Sequence, residues 1–261
     1  MRDLAIVDWF GYNMRPQERM RLIKEAGFAG VLLLWTDQFD SDFKSFPKYA
    51  DEAGLYVESA HAPYLDADTL WVDNIAGQDY SEKMLACIKD CAAYSVKTLV
   101  MHPTNTKIPL PENNVGINRL KRMVESAQRY SVNLAVENTV QPAYLEYIFN
   151  RISSDRLGFC FDSGHSNLYC AQQNLLALYG DRLMALHLHD NDGQADQHAL
   201  PRSGSIDWAA FMAQIKAAAY QGAIALETRR STGADIDNPE EFLAYAAATM
   251  AALWQDSMSV C

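Results

Sequence analysis

The chain has 261 residues, 49% hydrophobic and 21% charged, which permits a folded core and excludes a disordered chain. Lys and Arg number 22 against 33 Asp and Glu, a net charge of −11, so no broad basic field is available to hold a polyanion such as nucleic acid. The length suits one α/β barrel of about 250 residues, and residues 1–261 read as a single domain.

Taken in chain order, the first β-rich run is Leu4–Trp9. A helix opens at Pro16, a tolerated first-turn position, and Gly27 follows its end. Strands are predicted at Val31–Trp35 and Tyr56–Ala62, with Ser81 as the cap of a helix over Glu82–Tyr94. Then come strand Thr98–His102, helix Asn118–Tyr130, strand Asn133–Glu137, helix Ala143–Ile152 and strand Leu157–Asp162. Strand Met184–His189, helix Asp207–Tyr220, strand Ala223–Thr228 and helix Pro239–Trp254 complete the series. The strands are mostly continuous apolar runs, as in parallel sheets buried on both faces. The strings EAGF, EAGL, AYSV, RYSV and AYQG mark a recurring helix-to-strand turn. Strand then helix, eight times, predicts parallel strands with right-handed crossovers and a closed (β/α)8 TIM barrel.

No apolar run approaches the roughly 18 residues of a membrane span, and the N-terminal run has no secretory pattern. The five cysteines, Cys87, Cys91, Cys160, Cys170 and Cys261, are odd in number and form no CxxC pair. They read as reduced thiols in a cytoplasmic protein.

Position carries the functional signal. In such a barrel the active site lies at the carboxyl ends of the strands. The third to eighth predicted strands end at or beside His61, His102, Glu137, Asp162, His187 with His189, and Glu227. The histidines are His61, His102, His165, His187, His189 and His198, and none falls in a predicted helix. Charged groups converging on one mouth are costly unless paired or metal-bound. Taken singly, each has a plainer reading. A strand-end His is a hydrogen-bonded barrel residue, Asp162 caps the next helix, Asp190 and Asp192 are turn residues, and Tyr64 roofs the barrel. Taken together they point to a site for a divalent ion such as Mn, Zn, Co or Fe.

These residues resemble the xylose-isomerase-like TIM-barrel superfamily, which holds sugar isomerases and epimerases as well as zinc-dependent apurinic endonucleases. The carriers are HAPY at His61–Tyr64, VEN at Val136–Asn138, FDSGH at Phe161–His165, HLHDNDG at His187–Gly193, DQH at Asp196–His198, GSIDW at Gly204–Trp208 and LET at Leu226–Thr228. The resemblance spans essentially the whole chain. It implies one metal held by Glu137, Asp162, His187 and Glu227. It also implies, for a multinuclear centre of the endonuclease kind, further ligands His61, His102, His165, Asp196 and His198. Against the endonuclease form, the first strand ends Val7-Asp8-Trp9-Phe10-Gly11 rather than in a GAHVS-like sequence. The seventh continues HLHDNDG rather than HLNDSK.

The expected function is therefore isomerisation or epimerisation of a small sugar, sugar phosphate or related hydroxy-carbonyl compound. Glu137 and Glu227 are the acid–base pair, and His61, His102, His165, His198 and Arg202 are substrate-binding residues. The alternative is multi-zinc hydrolysis of a phosphodiester at an abasic site, and a non-catalytic binding module is the third reading. Arg202, Arg229 and Arg230 near the mouth suit a phosphate or are solvated cations. Specificity is expected in the loops Pro63–Tyr80, Pro103–Ile117 and Asn191–Ile206. Oligomeric state is left open.

Overall fold

Eight short parallel strands follow one another round a barrel: β1 Leu4–Val7, β2 Gly30–Leu34, β3 Tyr56–His61, β4 Thr98–Met101, β5 Asn133–Glu137, β6 Leu157–Asp162, β7 Leu183–His187 and β8 Ile224–Leu226. The computed structural model describes residues 2–38, 40–107, 110–230 and 236–256. The sheet order is β7-β6-β5-β4-β3-β2-β1-β8. Closure comes just beyond β7, where Leu188 bridges Leu226, donating its N–H to Ala225 O at 3.0 Å and accepting from Glu227 N at 2.9 Å. The fold is a single (β/α)8 TIM barrel.

Alternation along the strands divides the interior into floor and site. Side chains two residues apart on a strand share a face. Val100, Ala135, Cys160 and Ala185 form a buried cluster apart from the main core. Each lies two residues before His102, Glu137, Asp162 and His187, so this small apolar plug is the floor of the polar mouth. Larger side chains on the alternate face, such as Phe159, Phe161, Leu134 and Leu186, join the main core with the helices.

The helices are α1 Pro16–Glu25, α2 Phe46–Glu52, α3 Ile75–Ala93, α4 Asn114–Tyr130, α5 Ala143–Phe149, α6 Ser163–Tyr169, α7 Leu175–Tyr179, α8 Trp208–Ala217 and α9 Pro239–Asp256. Two begin earlier than the sequence predicts. Asn74, not Ser81, caps α3 by accepting from Gly77 N at 2.9 Å, and Ser81 is buried in mid-helix. Asn113 likewise caps α4, accepting from Val115 N and Gly116 N, so that helix starts at Asn114 rather than Asn118. Short helices α2, α6 and α7 were not anticipated, and α6 contains His165.

The recurring turn strings have a common cause. Gly27, Gly54, Ser95 and Ser131 adopt positive φ just after α1, α2, α3 and α4. The next N–H, of Phe28, Leu55, Val96 or Val132, returns to the carbonyl five residues back. This is the Schellman closure, and each of those apolar residues is buried. Ala219 takes the same left-handed conformation after α8. Among the described residues no helix is long and apolar enough to cross a membrane. Cys87, Cys91, Cys160 and Cys170 are free and buried, and Cys261 lies outside the described residues.

Candidate metal centre

The strand ends bring a set of nitrogen and oxygen donors together. Glu137, fully buried at the end of β5, sits at the centre. Its Oε1 lies 3.0 Å from His165 Nδ1 and 3.3 Å from His102 Nε2. Its Oε2 lies 2.9 Å from His187 Nδ1 and 3.5 Å from His61 Nε2. His187 Nδ1 is also 3.1 Å from Glu227 Oε2, so one imidazole nitrogen stands between two carboxylates. Ligand atoms of Glu137, Asp162, His187 and Glu227 all fall within 4.8 Å of one another. The same holds for His61, Glu137 and His187, and for a separate group of His189, Asp196 and His198.

The backbone fixes these side chains. Asn138 clamps Asp162, its amide donating to Asp162 O at 2.9 Å and its Oδ1 accepting from Asp162 N at 2.8 Å. Asp162 Oδ1 caps α6 by accepting from His165 N at 2.6 Å, so Asp162 is both cap and site residue. His61 Nδ1 lies 2.7 Å from Ala62 O, which requires Nδ1–H and leaves the Nε2 lone pair free. That Nε2 faces His102 Nε2 at 3.2 Å. His198 Nδ1 reaches Glu227 O at 2.8 Å and turns its Nε2 toward Asp196 Oδ2 at 3.2 Å.

These contacts fit a divalent ion. Both Glu137 oxygens, both His187 nitrogens, His165 Nδ1, His189 Nδ1 and Asp196 Oδ1 are buried without an aligned hydrogen bond. Buried polar atoms are normally satisfied, and a cation shared among these converging donors would satisfy them. A nitrogen–oxygen set without sulfur suits Zn, Mn, Co or Fe.

Electrostatics point the same way. Burial opposes the charge on Glu137, yet His102 and His187 hold its carboxyl well below the usual range. Burial likewise opposes Glu227, and His187 and His198 depress it. Burial resists charging His187, but the Cys160 sulfur and the Glu227 and Glu137 carboxylates raise it well above an ordinary histidine. His165 is raised in the same way, against burial, by Asp162, Asp196 and Glu137. His102 is the exception, pushed down by burial. Protons on imidazoles therefore offset the carboxylates, a role that a bound divalent cation would take over.

Comparison with known proteins agrees with the geometry. Residues 20–253 match the family described as xylose isomerase-like TIM barrel. The chain belongs to this family. A Sinorhizobium fredii protein called y4fM is 28% identical over 260 aligned residues, covering 84% of this chain and 82% of that one. A solved structure described as a D-tagatose 3-epimerase-like protein shares 19% identity with a TM-score of 0.79, covering 99% of both chains. Another, the IOLI protein with a bound zinc atom, shares 18% identity with a TM-score of 0.79, covering 98% of this chain and 99% of that one. Further structural neighbours are described as sugar 3-epimerases.

Of the residues predicted for the site, all but one gather at the mouth of this xylose isomerase-like barrel. Arg202 is exposed, has φ 72°, and pairs with Asp256 at 3.1 Å beside the end of α9. Asp192 makes the predicted turn, accepting from Gln194 N at 2.8 Å. Asp190 instead is buried, accepting from the Trp208 indole at 2.8 Å and from Asn191 N at 2.9 Å, which anchors the loop after β7. The sequence places His189 beside a strand end, where it has no assigned role. Its Nε2 is 3.1 Å from Asp162 Oδ2, and its ring stacks on His198 with centroids 4.1 Å apart. The signal was the His-Leu-His alternation, which puts both histidines on one face of the strand and its extension.

Proposed function

We propose that the protein is a divalent-metal-dependent epimerase or isomerase of a small sugar or related hydroxy-carbonyl compound. The observation that carries this reading is the pair of carboxylates, buried Glu137 and largely buried Glu227, set 2.9 and 3.1 Å from the same His187 nitrogen. Glu137, Asp162, His187 and Glu227 would hold the ion. When bound, it supplies Lewis acidity that lowers the cost of the enediolate. One glutamate takes the proton from the carbon beside the carbonyl. The C–H electron pair becomes a carbon–carbon double bond and the carbonyl π pair moves onto its oxygen, giving the enediolate. For epimerisation the other glutamate returns a proton to the opposite face of the same carbon as the carbonyl re-forms; for isomerisation the former carbonyl carbon takes the proton and the neighbouring hydroxyl passes its own proton to the carbonyl-derived oxygen. Glu227, with 12% of its side chain exposed, meets the sugar from the mouth, while Glu137 lies deeper. His61, His102 and His165 offer ring nitrogens to hydroxyls, and the Tyr64 ring, 4.9 Å from His102, excludes water above them. The sugar 3-epimerases among the structural neighbours support the reaction class.

The test is solvent-deuterium exchange into ketoses incubated with metal-loaded protein. Exchange with stereochemical inversion or carbonyl migration is expected, and Glu137→Gln and Glu227→Gln should each abolish it while the fold survives. Full exchange in both variants defeats these roles.

One observation favours a second reading, the hydrolysis of a phosphodiester. The His189, Asp196 and His198 group gives a second place for a cation, as multinuclear hydrolysis needs. Chelator-sensitive nicking of an abasic duplex, with two or three zinc ions per chain, would move this reading ahead.

A further inference from the structure

We propose that the substrate carries an anionic group, a phosphate or a carboxylate, at the end remote from the reacting carbon, and that Arg229 binds it. The inference rests on the sugar reading above and narrows its substrate class.

Arg229 follows Glu227 by two residues on the extension of β8. Glu227 N donates to Leu188 O and Arg229 N donates to His198 O, both at 2.9 Å, while Arg230 N donates to Phe10 O on the other side. The chain is therefore extended here, and Arg229 leaves it on the face that presents Glu227 to the mouth. Thr228 between them is fully buried, which fixes the root of Arg229. Two residues of extended chain set that root roughly 7 Å outward from Glu227.

The neighbouring guanidinium groups are already engaged. Arg202 pairs with Asp256, and Arg230 pairs with Asp237 and lies over the Tyr12 ring. Arg229 is exposed, and no ion pair, side-chain hydrogen bond or ring contact of its guanidinium occurs among the described residues. Across the mouth stands Tyr64, half-buried, its ring edge-on to His61 with centroids 5.4 Å apart. That ring also lies 4.9 Å from the His102 ring, so Tyr64 stands on the rim over the donor set.

A guanidinium cannot lose its proton and has donors only, in a planar fork that matches phosphate and carboxylate oxygens. Neutral hydroxyls are served by the imidazoles and carboxylates below. An Arg rooted on the inward face and unpaired among the described residues adds recognition of a charge, and Tyr64 O–H supplies one more donor to the same group. The spacing seats the reacting carbons over Glu227 and the anion a few bonds away.

The experiment compares a neutral ketose, its terminal phosphate and the matching terminal carboxylate with metal-loaded protein. The expected result is a kcat/KM about 100-fold higher for one anion than for the neutral sugar. The phosphate and carboxylate arms identify which anion is read. In Arg229→Met that ratio should fall about 100-fold, and Arg229→Lys should restore part of it, a point charge without the fork. Calorimetry with a non-reacting sugar alcohol and its terminal phosphate and carboxylate reads the same preference without turnover. Equal handling of neutral and anionic compounds, or a charge preference unchanged in Arg229→Met, overturns the proposal. If no sugar is turned over but the alcohol phosphate or carboxylate binds through Arg229, the epimerase reading falls and the anion site stands.

Discussion

Gly164 gives a prediction whose sign is itself diagnostic. It is the second residue of α6, where alanine would ordinarily stabilise a helix by up to about 1 kcal/mol over glycine. A Cβ at this position would fall 2.6 Å from His189 Nε2 and closer still to two other ring atoms, against 3.4–4 Å for ordinary contact. The ring would have to retreat by more than about 1 Å. It has no easy retreat, because it is stacked on His198 and its Nε2 lies 3.1 Å from Asp162. Overpacking costs about 1–3 kcal/mol, and loss of the charge-assisted contact about 1.5–3 kcal/mol. Set against the helix gain, Gly164→Ala should destabilise by about 1.5–5 kcal/mol, a fall in Tm of about 3–20 °C. The assay is thermal unfolding of the metal-free protein, so that ion binding does not enter. The same substitution in a His189→Ala background should be neutral or stabilising, because the ring it strikes is gone. A higher Tm for Gly164→Ala alone, or an equal cost in both backgrounds, refutes the placement of His189.

The remaining predictions concern protons. His187 and His165 are held protonated in the metal-free centre, so zinc or manganese binding should release protons and tighten from pH 6 to pH 8. Calorimetry in buffers of different ionisation heat reads this, and an ion taken up without proton release contradicts it. The same raised histidines add stability that is complete below their ordinary value of 6.5 and is lost as pH rises through the higher folded value. Metal-free protein should therefore lose Tm above about pH 6.5 while metal-loaded protein keeps it, and parallel profiles would count against the assignment. Away from the site, burial raises the Asp8 carboxyl from 3.8 to about 6, against the pull of Arg19. Its protonated form is the better tolerated, so up to about 3 kcal/mol of stability should be lost between pH 4 and pH 6. Carbon-13 NMR of the Asp8 carboxyl reads the midpoint, and titration near 4 would refute the burial argument.

The barrel was legible because its strands are buried on both faces, and Asn133–Glu137 and Leu157–Asp162 end where the apolar runs end. Helix starts were less legible, for a tertiary reason. Gly77 and Gly116 both lie in first turns, ahead of the predicted starts at Glu82 and Asn118. A Cβ would meet Val72 O at 2.6 Å from Gly77 and the Trp71 ring at 2.6 Å from Gly116. They are glycine so that the turn Ala67–Trp71 can pack close, which no local propensity records. At the site the strand-end rule gave His61, His102, Glu137, Asp162, His187 and Glu227, which the structure brings to one mouth, while the choice of four of them as a donor set came from the resemblance. Arg202 was expected from its nearness in sequence to the mouth, but its left-handed φ and its Asp256 partner direct it outward. His189 was underweighted because its plain reading as a strand residue is sound until Asp196 and His198 fold over it.

The left-handed residues that close the helices have a consequence for engineering. Glycine occupies the position after α1 and α2, but Ser95, Ser131 and Ala219 hold it after α3, α4 and α8. A side chain there costs about 1–2 kcal/mol, and the greater freedom of an unfolded glycine returns about half of that. Each change to glycine should leave a net gain of about 0.5–1 kcal/mol. All three lie at the amino ends of the strands, across the apolar plug from the candidate metal donors. Directed evolution can thus raise thermal robustness at one end of this barrel without drawing on the donor cluster at the other.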